Sequence, residues 1–217
     1  IDHAWGYESC TIAQIRAYKP QSSSLGCGQV LHCPYTADKA RIVVQEMIDG
    51  ISLELVEKRL VTDQLVLTVG YDIENLTRSE IRKVYKGPVT TDRYGRRVPK
   101  HAHGTWNLPR ATSSSSELLE AMAALYDKIV NPALLIRRMS LSACHVVNEK
   151  MAKEREQKET FEQLDLFTDY AKKEAKEKEE QKKRERERRM QEALLTIKKK
   201  YGKNAVLRGM NFEEGAT

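Results

Sequence analysis

Ala171 to Arg189 is built almost wholly of Lys, Arg and Glu. A stretch of that kind cannot bury enough apolar surface to organise a core. Any globular domain must therefore come from the residues before about Glu149, and the rest must be appendage. The appendage has its own logic. Glu174–Lys178, Glu179–Lys183, Glu180–Arg184 and Glu185–Arg189 stand at the helical spacing of four, so opposite charges meet on one face. Such a helix can stand without a core, or can equally fluctuate. Sustained apolar heptads are missing, which argues against a coiled coil. Met190, Leu194, Ile197 and Tyr201 restore a short apolar face, and Gly202 is placed to stop the helix. No role is legible in Lys203 to Thr217.

The foldable part shows both helical and strand periods. Ser24 to Leu31 alternates, with Leu25, Cys27 and Leu31 on one side and Ser24, Gly26 and Gly28 on the other. Glycine weakens a strand unless something must approach its backbone closely, and a phosphate would qualify; an ordinary edge strand is the plainer alternative. Thr36 is expected to cap a helix running to about Lys58, with Ala40, Val43, Val44, Met47 and Ile51 at the spacing of one buried face. Gln64 to Tyr71 reads as a strand, with Leu65, Leu67, Val69 and Tyr71 on one face and Thr68 and Gly70 on the other. A second helix is expected from Ser116, with Leu119, Met122, Ala123, Tyr126 and Val130 as its inner stripe and Asn131-Pro132 as its stop. Leu134 to Val146 is the last strand: Met139, Leu141 and Ala143 point in, and Arg138, Ser140 and Ser142 point out. The order predicts an α+β fold, an antiparallel or mixed sheet with two helices on one face, followed by a long charged helical tail.

Charge is uneven along this part. Arg78, Arg82, Lys83, Lys86, Arg93, Arg96, Arg97, Lys100 and Arg110 are opposed only by Glu80 and Asp92 in their window. The centre, Asp92 to Arg97, reads as the turn of a long hairpin. That excess, and a formal net charge of +6, favour an acidic partner, with nucleic acid first. The free sheet face of glycine, Ser, Thr and Arg suits a phosphate backbone.

Other chemistry is thin. Cys10, Cys27, Cys33 and Cys144 lack metal-ligand spacing and read as reduced, mostly buried thiols, which fits the cytoplasm. His101 and His103 alternate on a strand, but no third metal ligand stands at a sensible spacing. Nothing pairs a nucleophile with a base, and no carboxylate pair could hold two Mg²⁺ ions. No catalytic or metal-binding residue is expected. No apolar membrane span or signal peptide is visible. The sequence opens at Ile1 without Met, so a fragment of a longer protein is expected. Gln163-Leu164-Asp165-Leu166-Phe167 is a short apolar plug between charged flanks, suited to a groove on another protein. Phe161, Leu164 and Phe167 are also helix-spaced and could instead pack back on the domain.

Trp5-Gly6, Tyr18-Lys19-Pro20, Ser24-Leu25-Gly26, Gln29-Val30-Leu31, Pro34-Tyr35-Thr36 and Ala40 occur in an order that resembles the C-terminal part of Y-family translesion DNA polymerases, nearest the bacterial UmuC type. Leu65 to Tyr71 and Ile136-Arg137-Arg138-Met139 with Leu141 are similar to that family's later strands. Gln163 to Phe167 resembles the pentapeptide by which bacterial polymerases hold the sliding clamp. The resemblance covers roughly residues 1–148 plus this motif. It implies the end of the thumb and a linker at 1–21, a little-finger DNA-binding domain at 22–148, a linker with the clamp-binding motif at 149–170, and a charged helix with the C-terminal segment at 171–217. The expected DNA-binding residues are Ser24, Gly26, Gly28, Thr68, Arg93, Arg96, Arg97, Lys100, Arg137, Arg138 and Ser140. Gln163, Leu164, Leu166 and Phe167 are the expected clamp-binding ones.

The implied partners are duplex template–primer DNA and the bacterial sliding clamp, in a cytoplasmic, nucleoid-associated setting and in error-prone translesion synthesis and repair. The catalytic palm is absent, so no cofactor is expected in this chain; Mg²⁺ belongs to the parent polymerase. The hairpin from Arg78 to Arg110 is longer and more basic than in compact members of the family. The alternatives are a non-catalytic nucleic-acid-binding adaptor that recruits a partner through its tail, and a structural protein using the charged helix as a spacer.

Overall fold

A computed structural model describes residues 5–6, 9–18, 23–159, 170–202 and 204–216. A short helix α1 (Ile12–Ala17) opens with a capping box, in which Thr11 and Gln14 satisfy each other's backbone amides. Then come β1 (Leu25–Tyr35), α2 (Ala37–Lys58), β2 (Leu60–Tyr71), the helical turns α3 (Glu74–Thr77) and α4 (Ser79–Val84), and a ribbon of β3 (Val89–Thr91) with β4 (Arg97–Pro99). β5 (Ala102–Thr112), α5 (Ser115–Ile129), β6 (Ile136–Cys144), β7 (Val147–Asn148), α6 (Glu149–Glu159) and α7 (Tyr170–Tyr201) follow.

The main sheet has the order β1-β6-β2-β5, and every neighbouring pair is antiparallel. β7 pairs with the start of β2. The fold is α+β, with α2 and α5 together on one side of the sheet. Period two explains which side: Leu65, Leu67 and Val69 of β2 and Met139, Leu141 and Ala143 of β6 are buried under the helices. From α2 come Ala40, Val43, Val44, Ile48, Ile51 and Leu55 at spacings of three and four. Truncating Leu141, fully buried on the inner face, should cost about 2–5 kcal/mol. Arg41 forks onto Asp127, and the buried Tyr126 hydroxyl donates to the Ala37 carbonyl at 2.7 Å, so the two helices are also tied by polar contacts.

Several expectations need correcting. α5 is capped by Ser114, whose hydroxyl accepts from the Glu117 amide. Its inner stripe is Leu118, Ala121, Met122, Leu125 and Tyr126, while Leu119 and Ala123 are only half-buried. The basic window is not one long hairpin. Arg82 and Lys83 lie on α4, and the ribbon strands are three residues each. No cysteine among the described residues is fully buried: Cys10 and Cys33 are exposed, Cys27 and Cys144 half-buried. Cys33 lies where β1 breaks its pairing with β6, so no neighbouring strand covers it. The last strand does not simply alternate either. β6 advances two residues, Arg138 to Ile136, while β2 advances one, Gly70 to Tyr71. Arg137 is the extra residue, and this bulge lets Ile136 and Met139 both reach the core.

The charged helix is docked on the domain. Glu187 receives the Ser116 amide at 2.8 Å and the Ser114 and Ser116 hydroxyls at 2.7 and 2.9 Å. Its carboxylate thus sits on the N-terminus of α5, where unpaired amides favour an anion. Gln191, only 2% exposed, donates to the Ser113 carbonyl and to Ser115 Oγ, and Ser115 Oγ meets Ser52 of α2 at 2.6 Å. Arg184 pairs with Glu117, and Arg188 with Glu149. Beyond the helix, Arg208 reaches Asp49, Asn211 reaches Glu46 and Lys39 reaches Glu214, so the C-terminal segment runs back along α2. Met190, Ile197 and Tyr201 remain exposed. Of the expected apolar stripe only Leu194 is half-buried, and the contacts named above that dock the helix are polar.

Candidate nucleic-acid interface

The face of the sheet away from α2 and α5 is assembled by register. One row across it reads Gly28, Ser140, Thr68 and His103, from β1 through β6 and β2 to β5. The row on one side is Gly26, Ser142, Val66 and Thr105; on the other side Val30, Arg138 and Gly70 align. Thr68 Oγ1 lies 2.9 Å from His103 Nδ1, and Gln64 donates to Asn107 at 2.9 Å. These cross-strand pairs tie β5 to β2 on this face. Among the strand positions expected from sequence, Gly26, Gly28, Thr68, Arg138 and Ser140 come together here, and Ser24 lies just before β1. His103, Thr105 and Asn107 were not anticipated for this face. The alternation noticed at His101 and His103, carried on to Asn107, would have found them.

Arg138 is the cation of this face. Its side chain lies over Gly70: a Cβ added there would be 2.6 Å from Arg138 Cγ and 2.7 Å from Nε. Glycine at 70 therefore lets the long arm lie flat on the sheet. Among the described residues, Arg138 has no carboxylate at ion-pair distance.

The neighbouring Arg137 is differently placed. Its Nη1 donates to the His32 carbonyl at 2.9 Å, and its Nε is 3.8 Å from Asp72, so the guanidinium is held within the domain.

The ribbon carries the other expected cations. Arg96 is paired with Asp92, Nη2 to Oδ2 at 2.7 Å, and lies over the Tyr94 ring. Backbone N–H donation from Arg96, with its guanidinium and the Tyr94 amide, holds the Asp92 carboxyl below its ordinary value. Arg93, Arg97 and Lys100 are exposed and have no ion pair among the described residues. Elsewhere in the basic window, Arg78 pairs with Glu74 and Arg110 with Glu117. The charge excess is thus narrower than the composition suggests: Arg82, Lys83 and Lys86 before the ribbon, like Arg93, Arg97 and Lys100 on it, are exposed and have no ion pair among the described residues.

Gln163, Leu164, Leu166 and Phe167 lie outside the described residues. Among the described residues no group of three or more His, Cys, Asp or Glu could hold a metal ion, and no helix is long and apolar enough to cross a membrane.

No protein-family model matches the chain, and no curated protein matches it. Among solved structures, the chain is similar to one described as a complex of the beta-clamp processivity factor and the little finger domain of PolIV. The identity is 9% and the TM-score 0.37, with 67% of this chain and 100% of that one covered.

Proposed function

We propose that this chain is a DNA-binding and sliding-clamp-binding portion of an error-prone, Y-family translesion polymerase, its sheet domain serving as a little finger on duplex DNA. The observation that carries the reading is the open sheet face. Gly26, Gly28, Thr68, Ser140 and Ser142 give this face short side chains, and Arg138 lies over Gly70 with no carboxylate at ion-pair distance among the described residues. A surface of mostly small and polar side chains with an uncommitted guanidinium suits a phosphate backbone and would make a poor core. The ribbon supplies further unpaired cations. The pentapeptide Gln163 to Phe167, by its resemblance, supports the clamp as second partner, with Leu166 and Phe167 as anchors. Catalysis, and the Mg²⁺ it requires, would belong to a palm outside this sequence.

Amide chemical-shift mapping with a short duplex tests the reading. Perturbations should cluster at Gly26, Gly28, Thr68, Arg138 and Ser140 and spare the outer faces of α2 and α5. A cluster on the helices instead would overturn it.

A further inference from the structure

We infer that Tyr94, at the tip of the β3–β4 ribbon, is a stacking platform for an unpaired nucleotide base adjoining the duplex; this rests on the reading of the sheet as a DNA-binding face. Tyr94 is 80% exposed, so burial does not hold its ring in place. The turn fixes the backbone that presents it. Asp92 Oδ1 accepts the amides of Tyr94 and Arg96, each at 2.9 Å, and Oδ2 accepts Arg96 Nε at 2.8 Å. The Asp92 amide donates to the Arg96 carbonyl at 2.8 Å, and Gly95, at φ +77°, makes the reversal that an L side chain would strain. With the backbone already bonded, docking on the ring costs only the freedom of the side chain's own torsions.

The ring's surroundings select the ligand. The Arg96 guanidinium lies 5.1 Å from the ring centroid, backing one face, and the other face is open to solvent. Arg93 and Arg97 are near Tyr94 in sequence, are exposed and have no ion pair among the described residues, and Lys100 stands at the base of the ribbon. An open aromatic face among uncommitted cations matches a base with its phosphates. Bases inside a duplex hide their faces in the stack, so the base taken must be unpaired. A protein partner is disfavoured, because Lys86, Arg93, Arg96, Arg97 and Lys100 are opposed on this segment by Asp92 alone.

Fluorescence anisotropy of the full chain, with a blunt duplex and the same duplex carrying a single-stranded overhang, tests the inference. Wild type should prefer the overhang. Tyr94→Ala should lower overhang affinity about tenfold and leave the blunt duplex unchanged; Tyr94→Trp should retain the preference, and Tyr94→Leu should not. If Tyr94→Ala changes neither affinity, or both equally, while Arg138→Ala weakens both, the stacking role is wrong and the sheet reading stands. Full retention of the preference by Tyr94→Leu would replace stacking by simple apolar contact and overturn the inference. If wild type binds neither duplex, the sheet reading fails and the inference fails with it.

Discussion

Arg138 crosses from β6 to lie over Gly70 of β2, with its Cγ 2.6 Å from where a Cβ of residue 70 would stand. The absent side chain at one position sets the direction of the cation at the other. Gly70 is not among the glycines with positive φ, so alanine fits its backbone. Gly70→Ala should thus change stability by no more than about 1 kcal/mol. It should lift Arg138 off the sheet and weaken duplex binding several-fold. Paired urea and anisotropy titrations check this; unchanged affinity would mean that the flat placement of Arg138 is incidental.

Glu187 should behave as a cap supplied from a distant helix. Removing a carboxylate that receives three hydrogen bonds at a helix N-terminus should lower stability by about 1 kcal/mol. Glu187→Ala should also raise hydrogen exchange at the Ser116 amide, and Glu187→Gln should recover part of both effects. An unshifted urea midpoint for Glu187→Ala would contradict the docking of α7 described above.

That docking marks where the sequence stops being legible. The strand faces were readable because period two leaves no choice: Leu65, Leu67 and Val69 on one side require Thr68 and Gly70 on the other. α2 was readable because Ala40, Val43, Val44 and Ile51 fit one helical stripe. α5 was misphased. Ser113 to Ser116 offers four adjacent candidates for the cap, and the Leu- and Ala-rich run behind them fits more than one stripe. The bulge at Arg137 depends on pairing with two other strands, which no local pattern records. For Glu187 and Gln191, every local feature describes a solvated helix, and their partners lie more than seventy residues away. Of the candidate site, the glycine–serine face and Arg138 could be read from alternation. Which ribbon cations are neutralised depended on the geometry of one turn.

Asp49 gives the fold a pH signature. Burial raises its carboxyl above the ordinary aspartate value of 3.8, against the pull of Arg208 and Lys198. The folded chain therefore holds this proton more tightly than the unfolded chain does. The stabilisation is full below the ordinary value and is lost as pH rises through the raised one. Urea titrations carried upward from the ordinary aspartate value should show wild-type stability falling relative to Asp49→Asn as pH rises through the raised value, then levelling. A relative rise with pH would mean that the Arg208 pair outweighs burial.

The clamp segment is tested apart from the sheet. Calorimetry with a purified bacterial clamp should show micromolar binding by the full chain. Leu166→Ala with Phe167→Ala should abolish it, since losing one buried anchor typically costs about 2 kcal/mol or more. Duplex affinity should be unchanged in that variant. Equal clamp binding by both proteins would remove the clamp from the proposal, and a lowered thermal midpoint would place Leu166 and Phe167 in the core instead.

The most direct test of the DNA-binding face is a salt series of duplex titrations with wild type and Arg138→Ala. The account predicts weaker binding by the variant on every sequence tried. Its slope of log affinity against log salt should be shallower by about 0.9, the value of one lost phosphate contact on B-form DNA. Identical affinities and slopes at low salt would contradict the account, and a loss confined to one base sequence would replace backbone tracking with direct base readout.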